Sequence, residues 1–278
     1  MARIGAGLSY VDRATPIHRL TGASKLLMVL FVSLAAMITF DTRLLIVIVL
    51  VSFIMFALAK VPLRDMKLIF TVIGLLMLMN NSLIFLFSPE EGVQIYGTRE
   101  VYFHIIGRYY VTREQLFYQL NVTIKYFAIL PLALIFFVST EPSEFAASLN
   151  SIGVNYKIAY SVSLALRYIP SVIREYQEIS QAQQARGVDI SKKASLSARL
   201  KGMATILFPL IITSIDKIDR IANAMELRSF GKDKTRTWYR ARPFTAIDYV
   251  VVAVSLLFIV AAVALNWVNG GRFFNPFI

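Results

Sequence analysis

The sequence predicts an all-α integral membrane protein with about five transmembrane helices and a cytoplasmic module of long amphipathic helices that end in Arg motifs. The first observation is composition: hydrophobic residues make up 57% of the 278 positions, and the mean hydropathy is +0.62. Soluble domains have roughly 45–50% apolar residues. The second observation is that apolar residues form five separate runs. The third is a basic segment of about a hundred residues, with amphipathic spacing, before the last run.

Each apolar run is near the roughly 20 residues that an α-helix needs to cross a bilayer. Helices are expected because lipid offers no hydrogen-bonding partner to an exposed backbone. The runs cover residues 26–40, 44–59, 68–87, 116–138 and 249–268. They divide the chain into an N-terminal membrane domain (1–139), a cytoplasmic domain (140–243) and a C-terminal transmembrane helix (244–278).

The charges between the runs predict how the chain faces the membrane. The N-terminal segment and the loop 60–67 are both rich in Lys and Arg, which is typical of cytoplasmic segments. The loop 88–113 balances three Arg against three Glu, so we expect it outside. Its Gly, Tyr and Val content at 92–97 predicts a small β-hairpin there. With five spans, the C-terminus is then also outside.

The segment between the fourth and fifth runs predicts two long helices. Residues 156–166 are apolar but too short to cross a bilayer, and after Pro170 the pattern becomes strongly polar up to residue 185. The second helix is predicted from 196 through Pro209 to 227, with an apolar stripe. Each helix ends in an arginine between small or apolar neighbours: Ala185, Arg186 and Gly187 in the first, and Leu227, Arg228 and Ser229 in the second.

These two arginines have two interpretations that the pattern alone supports about equally. Arginine is common near a helix C-terminus because it binds free carbonyls and complements the helix dipole. A guanidinium at a rigid helix tip also fits an acidic groove on a partner, because it binds carboxylates bidentately. Two matched tips in one module are harder to explain by helix capping alone than one would be, and both interpretations stay open at this point.

The motifs around these tips resemble a known family. Arg167-Tyr168-Ile169-Pro170, then Glu175 and the run 182–187, are followed by Phe208-Pro209-Leu210 and the run 224–231. With the opening segments 16–20 and 24–27, they are similar to the T components of energy-coupling factor transporters over essentially the whole chain. The family's second motif usually reads Ala-Arg-Gly, whereas here Leu227 and Ser229 flank the retained Arg228.

The resemblance implies partners and a mechanism in the cell membrane of a prokaryote. A T component pairs with two cytoplasmic ABC-type ATPases and with a small substrate-binding membrane protein, the S component. Arg186 and Arg228 would each enter a groove on one ATPase, and ATP-driven closure would move the tips for uptake of a vitamin or other micronutrient. Pro170 and Pro209 would be bend points, although prolines that kink helices without function are equally common. An apolar S-component interface is expected at Tyr160, Leu164, Tyr168, Leu207, Ile211 and Ile215.

Several classes of function find little support in the sequence. There is no cysteine, the two histidines His18 and His104 stand alone, and no GxxxxGK[ST] phosphate loop is present. We therefore expect no catalytic residue and no metal site, with ATP and Mg on the partner ATPases. The net charge of +12 lies largely in predicted cytoplasmic segments, so lipid rather than nucleic acid is the expected anionic partner.

Two other transport classes remain as alternatives. A stand-alone secondary transporter would place ionisable groups near the bilayer midplane, often in repeated halves. No such repeat is visible, Lys125 is expected to reach the outer interface, and Asn80 and Asn81 are expected to pack between helices. A conventional ABC permease subunit would show one coupling helix rather than two helices with arginine tips.

Overall fold

The computed structural model describes residues 15–61, 67–107, 109–189, 195–233, 237–238 and 242–277. The chain forms two compact units: the first unit comprises Met1–Glu141 with Arg242–Ile278, and the second unit comprises Pro142–Ala241. The elements in chain order are α1 (Pro16–Arg19), α2 (Gly22–Ile38), α3 (Thr42–Ala59), α4 (Lys67–Phe87), α5 (Glu91–Tyr96), β1 (Val101–Ile106), β2 (Tyr109–Thr112), α6 (Arg113–Ser139), α7 (Pro142–Ser151), α8 (Tyr156–Ala185), α9 (Leu196–Leu227) and α10 (Ala246–Val268).

The described chain confirms an all-α membrane protein, with five helices long and apolar enough to cross a bilayer: α3, α4, α6, α9 and α10. This set differs from the predicted one. The predicted first span is α2, whose 17 residues reach about 26 Å, slightly less than the roughly 30 Å of hydrocarbon. Helix α9 joins the set by length and composition alone, so its assignment to a cytoplasmic domain, like the other domain bounds, stays a prediction.

The core of the first unit lies between α2, α3, α6 and α10. Its interior is apolar, with Val32, Ile48 and Leu132 almost completely buried. Ala128 and Ala262 are fully buried, and such small residues let membrane helices approach closely. Helix α4 packs on α6, where the Asn81 side-chain amide donates a hydrogen bond of 3.1 Å to the Thr123 hydroxyl. The predicted interhelical role of Asn81 is therefore confirmed.

A buried polar network ties the start of α2 to the start of α10. The Asp248 carboxylate accepts hydrogen bonds from the Thr21 amide at 2.8 Å and from the Ser24 hydroxyl at 2.6 Å. The Lys25 side chain is completely buried, and its ammonium donates to the Ser139 carbonyl at 2.7 Å. These contacts hold together the points where the chain leaves and re-enters the first unit.

At the other end of these helices, Lys125 reaches the turn between α2 and α3. Its ammonium lies 3.1 Å from the centroid of the Phe40 ring, and the Phe40 amide donates to the Arg272 carbonyl at 2.6 Å. The long lysine stem therefore carries the charge from α6 to an aromatic ring at the helix ends, as expected for a snorkelling side chain.

The position predicted for the β-hairpin, 92–97, is wrong. Those residues form the short helix α5, which ends at Gly97 with φ +72° in the left-handed conformation that terminates many helices. The hairpin lies further along the chain, where β1 pairs with antiparallel β2. The β-branched and aromatic residues of these strands favour extended backbone more strongly than the glycine-containing segment 92–97 does.

Candidate functional site

The second unit is built around the two long helices α8 and α9. Asn155 caps the start of α8 by accepting from the Lys157 amide, and Ser195 caps α9 by accepting from the Ala198 amide. Pro170 lies inside α8, and the helix continues through it. The change from apolar to polar residues after Pro170 therefore does not mark the end of the helix. Each helix is therefore one rod of 30 or 32 residues.

The contacts between α8 and α9 show that the helices run antiparallel. The Tyr160 ring near the start of α8 lies 4.8 Å from the Phe230 ring just beyond the end of α9. Further along α8, the Glu175 carboxylate lies 2.6 Å from the ammonium of Lys217, which comes before Phe230 in the chain. The C-terminal ends of the two helices consequently lie at opposite ends of the pair.

The separation of the two arginine tips follows from this arrangement. Arg228 lines the same cavity as Arg167 of α8, and Arg186 lies nineteen residues further along α8. With a rise of 1.5 Å per residue, the two tips are about 28 Å apart along the axis of α8. This spacing fits two separate binding sites rather than one groove that holds both guanidinium groups.

The first tip is a complete Schellman motif. Arg186 is the last residue of near-helical conformation, with φ −88° and ψ 10°, and Gly187 follows in the left-handed region with φ +86°. The Val188 amide donates to the Gln183 carbonyl at 3.1 Å, and the Gly187 amide donates to the Gln184 carbonyl at 2.9 Å. The left-handed glycine predicted from the sequence is thus confirmed.

The second tip has the same backbone geometry although its sequence differs. Arg228 has φ −88° and ψ 15°, and Ser229 takes the left-handed position with φ +54°. The Phe230 amide donates to the Met225 carbonyl at 2.9 Å, and the Ser229 amide donates to the Glu226 carbonyl at 2.8 Å. Serine in place of glycine therefore leaves the motif intact at some conformational cost.

Both arginine side chains face solvent and are available for a partner. The predicted tip residues Ala185, Arg186, Gly187, Leu227, Arg228 and Ser229 are all exposed, and Leu227 retains 88% of its accessible surface. Within the described part of the chain, neither Arg186 nor Arg228 makes an ion pair. The dipole of each helix places partial negative charge beside its arginine, but no described carboxylate neutralises it.

The second tip is held by an aromatic cluster that sequence reasoning missed. Phe230 packs against Tyr156 and Tyr160, with centroid distances of 5.8 and 4.8 Å. Trp238 lies beside Tyr160, and its indole donates to the Asn150 side chain at 2.9 Å. The signal was available, because Phe230 follows the left-handed residue, the position where a Schellman motif commonly places an apolar contact.

The predicted S-component residues fall into two groups that the structure places differently. Tyr160, Leu164 and Tyr168 are half-buried and line a cavity of about 400 Å³ between α8 and α9, next to Arg228. Leu207, Ile211 and Ile215 form an exposed stripe on α9, with exposed fractions of 43%, 56% and 52%. The second group has the apolar exposure of a docking surface, whereas the first group also packs the helix pair.

An ion pair joins α8 and α9 between the tips. The Glu175 carboxylate and the Lys217 ammonium are 2.6 Å apart, with 16% and 32% of their side-chain surfaces exposed. The hydrogen bond from Lys217 lowers the pKa of Glu175, an effect that partial burial opposes. Glu175, part of the motif that carries the family resemblance, therefore has a structural contact that the sequence did not indicate.

Fold and site together define a class: a multi-pass helical membrane protein with two solvent-facing arginine tips on one antiparallel helix pair. The sequence profile of the CbiQ family, described as cobalt transport protein, matches residues 13–239. The chain therefore belongs to the CbiQ family, which confirms the resemblance to the T components.

Individual relatives agree with this assignment. The energy-coupling factor transporter transmembrane protein EcfT of Bacillus selenitireducens is 30% identical over 273 residues, which are 94% of this chain and 97% of that protein. The EcfT protein of Limosilactobacillus fermentum is 42% identical over 113 residues, 39% of this chain and 42% of its own length. A Bifidobacterium longum protein, described provisionally as an ABC transporter ATP-binding protein, is 29% identical over 212 residues, 73% of this chain and 26% of that protein.

Proposed function

We propose that this chain is the transmembrane coupling subunit of an energy-coupling factor importer for a vitamin or other micronutrient. It transmits the ATP-driven motion of two ATPase subunits to a membrane-embedded substrate-binding subunit. The observation that carries the proposal is the pair of exposed arginines, Arg186 and Arg228, on tips of equal backbone geometry at opposite ends of α8 and α9.

The tips suit the binding of two separate acidic grooves. Each guanidinium stands beyond a helix end whose Schellman motif fixes the backbone, so little backbone entropy is lost on binding. A spacing of about 28 Å along α8 supports the binding of the two tips by different subunits. The B. longum relative supports a link to ATP-binding proteins, because a protein of that description includes a segment similar to this chain.

Movement of the tips is converted into movement of the helix pair. Few residues of α8 and α9 are buried: Tyr156, Ala159, Ser163 and Ser180 in α8, and Gly202, Ile206 and Leu210 in α9. A pair with so little buried surface can slide or change its crossing angle at small cost. Pro170 and Pro209, each lacking one backbone hydrogen bond, serve as bend points in this scheme.

The apolar stripe Leu207, Ile211 and Ile215 is the surface we assign to the substrate-binding subunit, with Tyr160, Leu164 and Tyr168 beside the second tip. This chain is the non-catalytic subunit in the proposal, and ATP and Mg are bound by the ATPases. The positive-inside pattern supports a cytoplasmic location for the N-terminus and for both tips.

The proposal is tested by co-purification. The tagged chain is expressed with its genomic neighbours, solubilised in mild detergent and analysed for bound subunits. Arg186→Glu and Arg228→Glu are each expected to weaken ATPase binding, and the double variant is expected to abolish it, because a carboxylate repels an acidic groove. Arg174→Glu is the matched control, since Arg174 is exposed on α8 away from both tips and makes no ion pair among the described residues.

Other outcomes would favour the alternatives. A chain that purifies alone and moves a solute in liposomes without ATP is a secondary transporter. Equal loss of ATPases in the Arg174→Glu control would show that general charge, rather than the tips, determines binding. Retention of both ATPases by the double variant would remove the coupling role from the arginines.

A further inference from the structure

The β-hairpin of the first unit exposes apolar side chains on both of its faces. Successive residues of a strand point to opposite faces. Tyr102 and Phe103, which are neighbours on β1, are 61% and 58% exposed, and Ile105 and Ile106 are 49% and 75% exposed. A two-stranded hairpin is marginally stable in water, and contiguous exposed apolar surface marks an interaction site.

The hairpin leads directly into one helix that is long and apolar enough to span the membrane, α6, and contacts another, α4. Strand β2 ends at Thr112, and α6 begins at the next residue, with the Thr112 hydroxyl accepting from the Gln115 amide. The Tyr109 ring lies 6.1 Å from Phe85 near the end of α4, and its hydroxyl donates to the Leu86 carbonyl at 3.3 Å. The hairpin is therefore held at the end of α4.

The exposed apolar surface continues from α4 onto the hairpin. None of the described residues of α4, Lys67–Phe87, is buried, and its last residue, Phe87, is 71% exposed. Such a surface on a membrane-spanning helix faces lipid or another membrane helix. The exposed apolar side chains of the hairpin lie next to this surface, because Tyr109 links the hairpin to the end of α4 at Phe85 and Leu86.

The chemistry of the hairpin indicates how deep it lies. Its outer strand edges leave backbone N–H and C=O groups without strand partners, and open sheet edges do not occur in the hydrocarbon region. Tyrosine is enriched at the level of the lipid headgroups, and this hairpin carries Tyr102, Tyr109 and Tyr110. The Arg99 guanidinium stacks over Tyr110 at 4.8 Å, which places a cation beside the same surface.

We propose that the hairpin strands Val101–Ile106 and Tyr109–Thr112 lie in the headgroup layer of the bilayer and that their partner is the lipid surface. Phe103 and Ile106 enter the boundary between headgroups and acyl chains, while the strand edges stay hydrated. The hairpin then anchors α4 and α6 at a fixed depth at this end of the first unit. This inference is independent of the coupling function, because it depends only on the membrane location.

The depth is measured by tryptophan fluorescence in liposomes that contain the full-length chain. Trp238→Phe and Trp267→Phe remove the native signal, and Phe103→Trp then reports from the hairpin. We expect phosphatidylcholine brominated near the headgroup to remove most of this fluorescence, and lipid brominated near the chain ends to remove much less. Leu75→Trp, at a 66% exposed position inside α4, is the deep reference and should show the reverse order.

Three results would overturn the proposal. Fluorescence unaffected by either lipid but quenched by aqueous iodide would place the hairpin in water. Protection from both lipid and iodide would show that protein covers it. Stronger quenching by lipid brominated near the chain ends, as expected for the Leu75→Trp reference, would place the hairpin in hydrocarbon. Tyr102→Trp, on the opposite face, repeats the measurement if Phe103→Trp does not fold, and it should also be quenched by the headgroup-proximal bromines.

Discussion

Replacement of Ser229 by glycine should stabilise the tip that presents Arg228. Ser229 has φ +54°, a conformation that costs an L-residue about 1–2 kcal/mol and costs glycine almost nothing. Glycine also makes the open chain more flexible, which offsets roughly 0.5–1 kcal/mol of the gain. The net stabilisation of the Schellman motif is therefore about 0.5–1 kcal/mol.

Hydrogen exchange of the Phe230 amide measures this effect locally. That amide donates to the Met225 carbonyl at 2.9 Å, so it exchanges only when the tip opens. After correction for intrinsic rates, Ser229→Gly should slow its exchange about two- to fivefold. The reverse substitution Gly187→Ser at the first tip should accelerate exchange of the Val188 amide by a similar factor.

The pair of substitutions gives a clear refutation. If Ser229→Gly leaves the Phe230 exchange rate unchanged or raises it, the left-handed serine is not the feature that limits this motif. ATPase co-purification should persist in Ser229→Gly, because the first tip already uses glycine in the same backbone geometry. Loss of the ATPases in this variant would show that the serine hydroxyl itself contacts the partner.

Two further predictions concern stability. The Lys217 hydrogen bond lowers the pKa of Glu175 below its ordinary 4.5. The stabilisation by this pair, about 1 kcal/mol or less, is therefore present above pH 4.5 and is lost as the pH falls below that value. Lys217→Met should remove this pH dependence of thermal unfolding. A Cβ on Gly92 would overlap the Glu114 carbonyl oxygen, so Gly92→Ala should destabilise the first unit by about 1–3 kcal/mol. Gly74→Ala, with open space around it, should not, and equal melting temperatures for the two variants would contradict this.

Most helices could be predicted because their signals are local. The apolar stripe and the terminal arginine of α9 predicted the bounds Leu196–Leu227, which the structure confirms. The predicted run 68–87 differs from α4 by one residue at its start. The long helix α8 with a proline inside it was also predicted, but the sequence left open whether the helix kinks or restarts at Pro170. The structure shows one continuous helix, because a proline breaks a helix only when packing does not support the helix across it. The hairpin was misplaced because two neighbouring segments of 88–113 both contain strand-forming residues.

The contacts of the candidate site were far less accessible from sequence. The exposed arginines and the glycine of the first tip were predicted, since helix ends have a recognisable composition. The left-handed serine at 229 was not, because serine has no intrinsic preference for that conformation. The pairing of Glu175 with Lys217 joins residues 42 positions apart and depends on how two helices face each other.

The sequence by itself determined that the chain is a helical membrane protein of the CbiQ family with two arginine-ended helices, because hydropathy, helix periodicity and motifs are properties of short segments. Only the tertiary structure decided that α8 and α9 run antiparallel, that Glu175 pairs with Lys217, and that Asp248 joins α10 to Thr21 across 227 residues. These features depend on long-range packing. Many different local sequences can form the same long-range contact, so no single residue type specifies that contact.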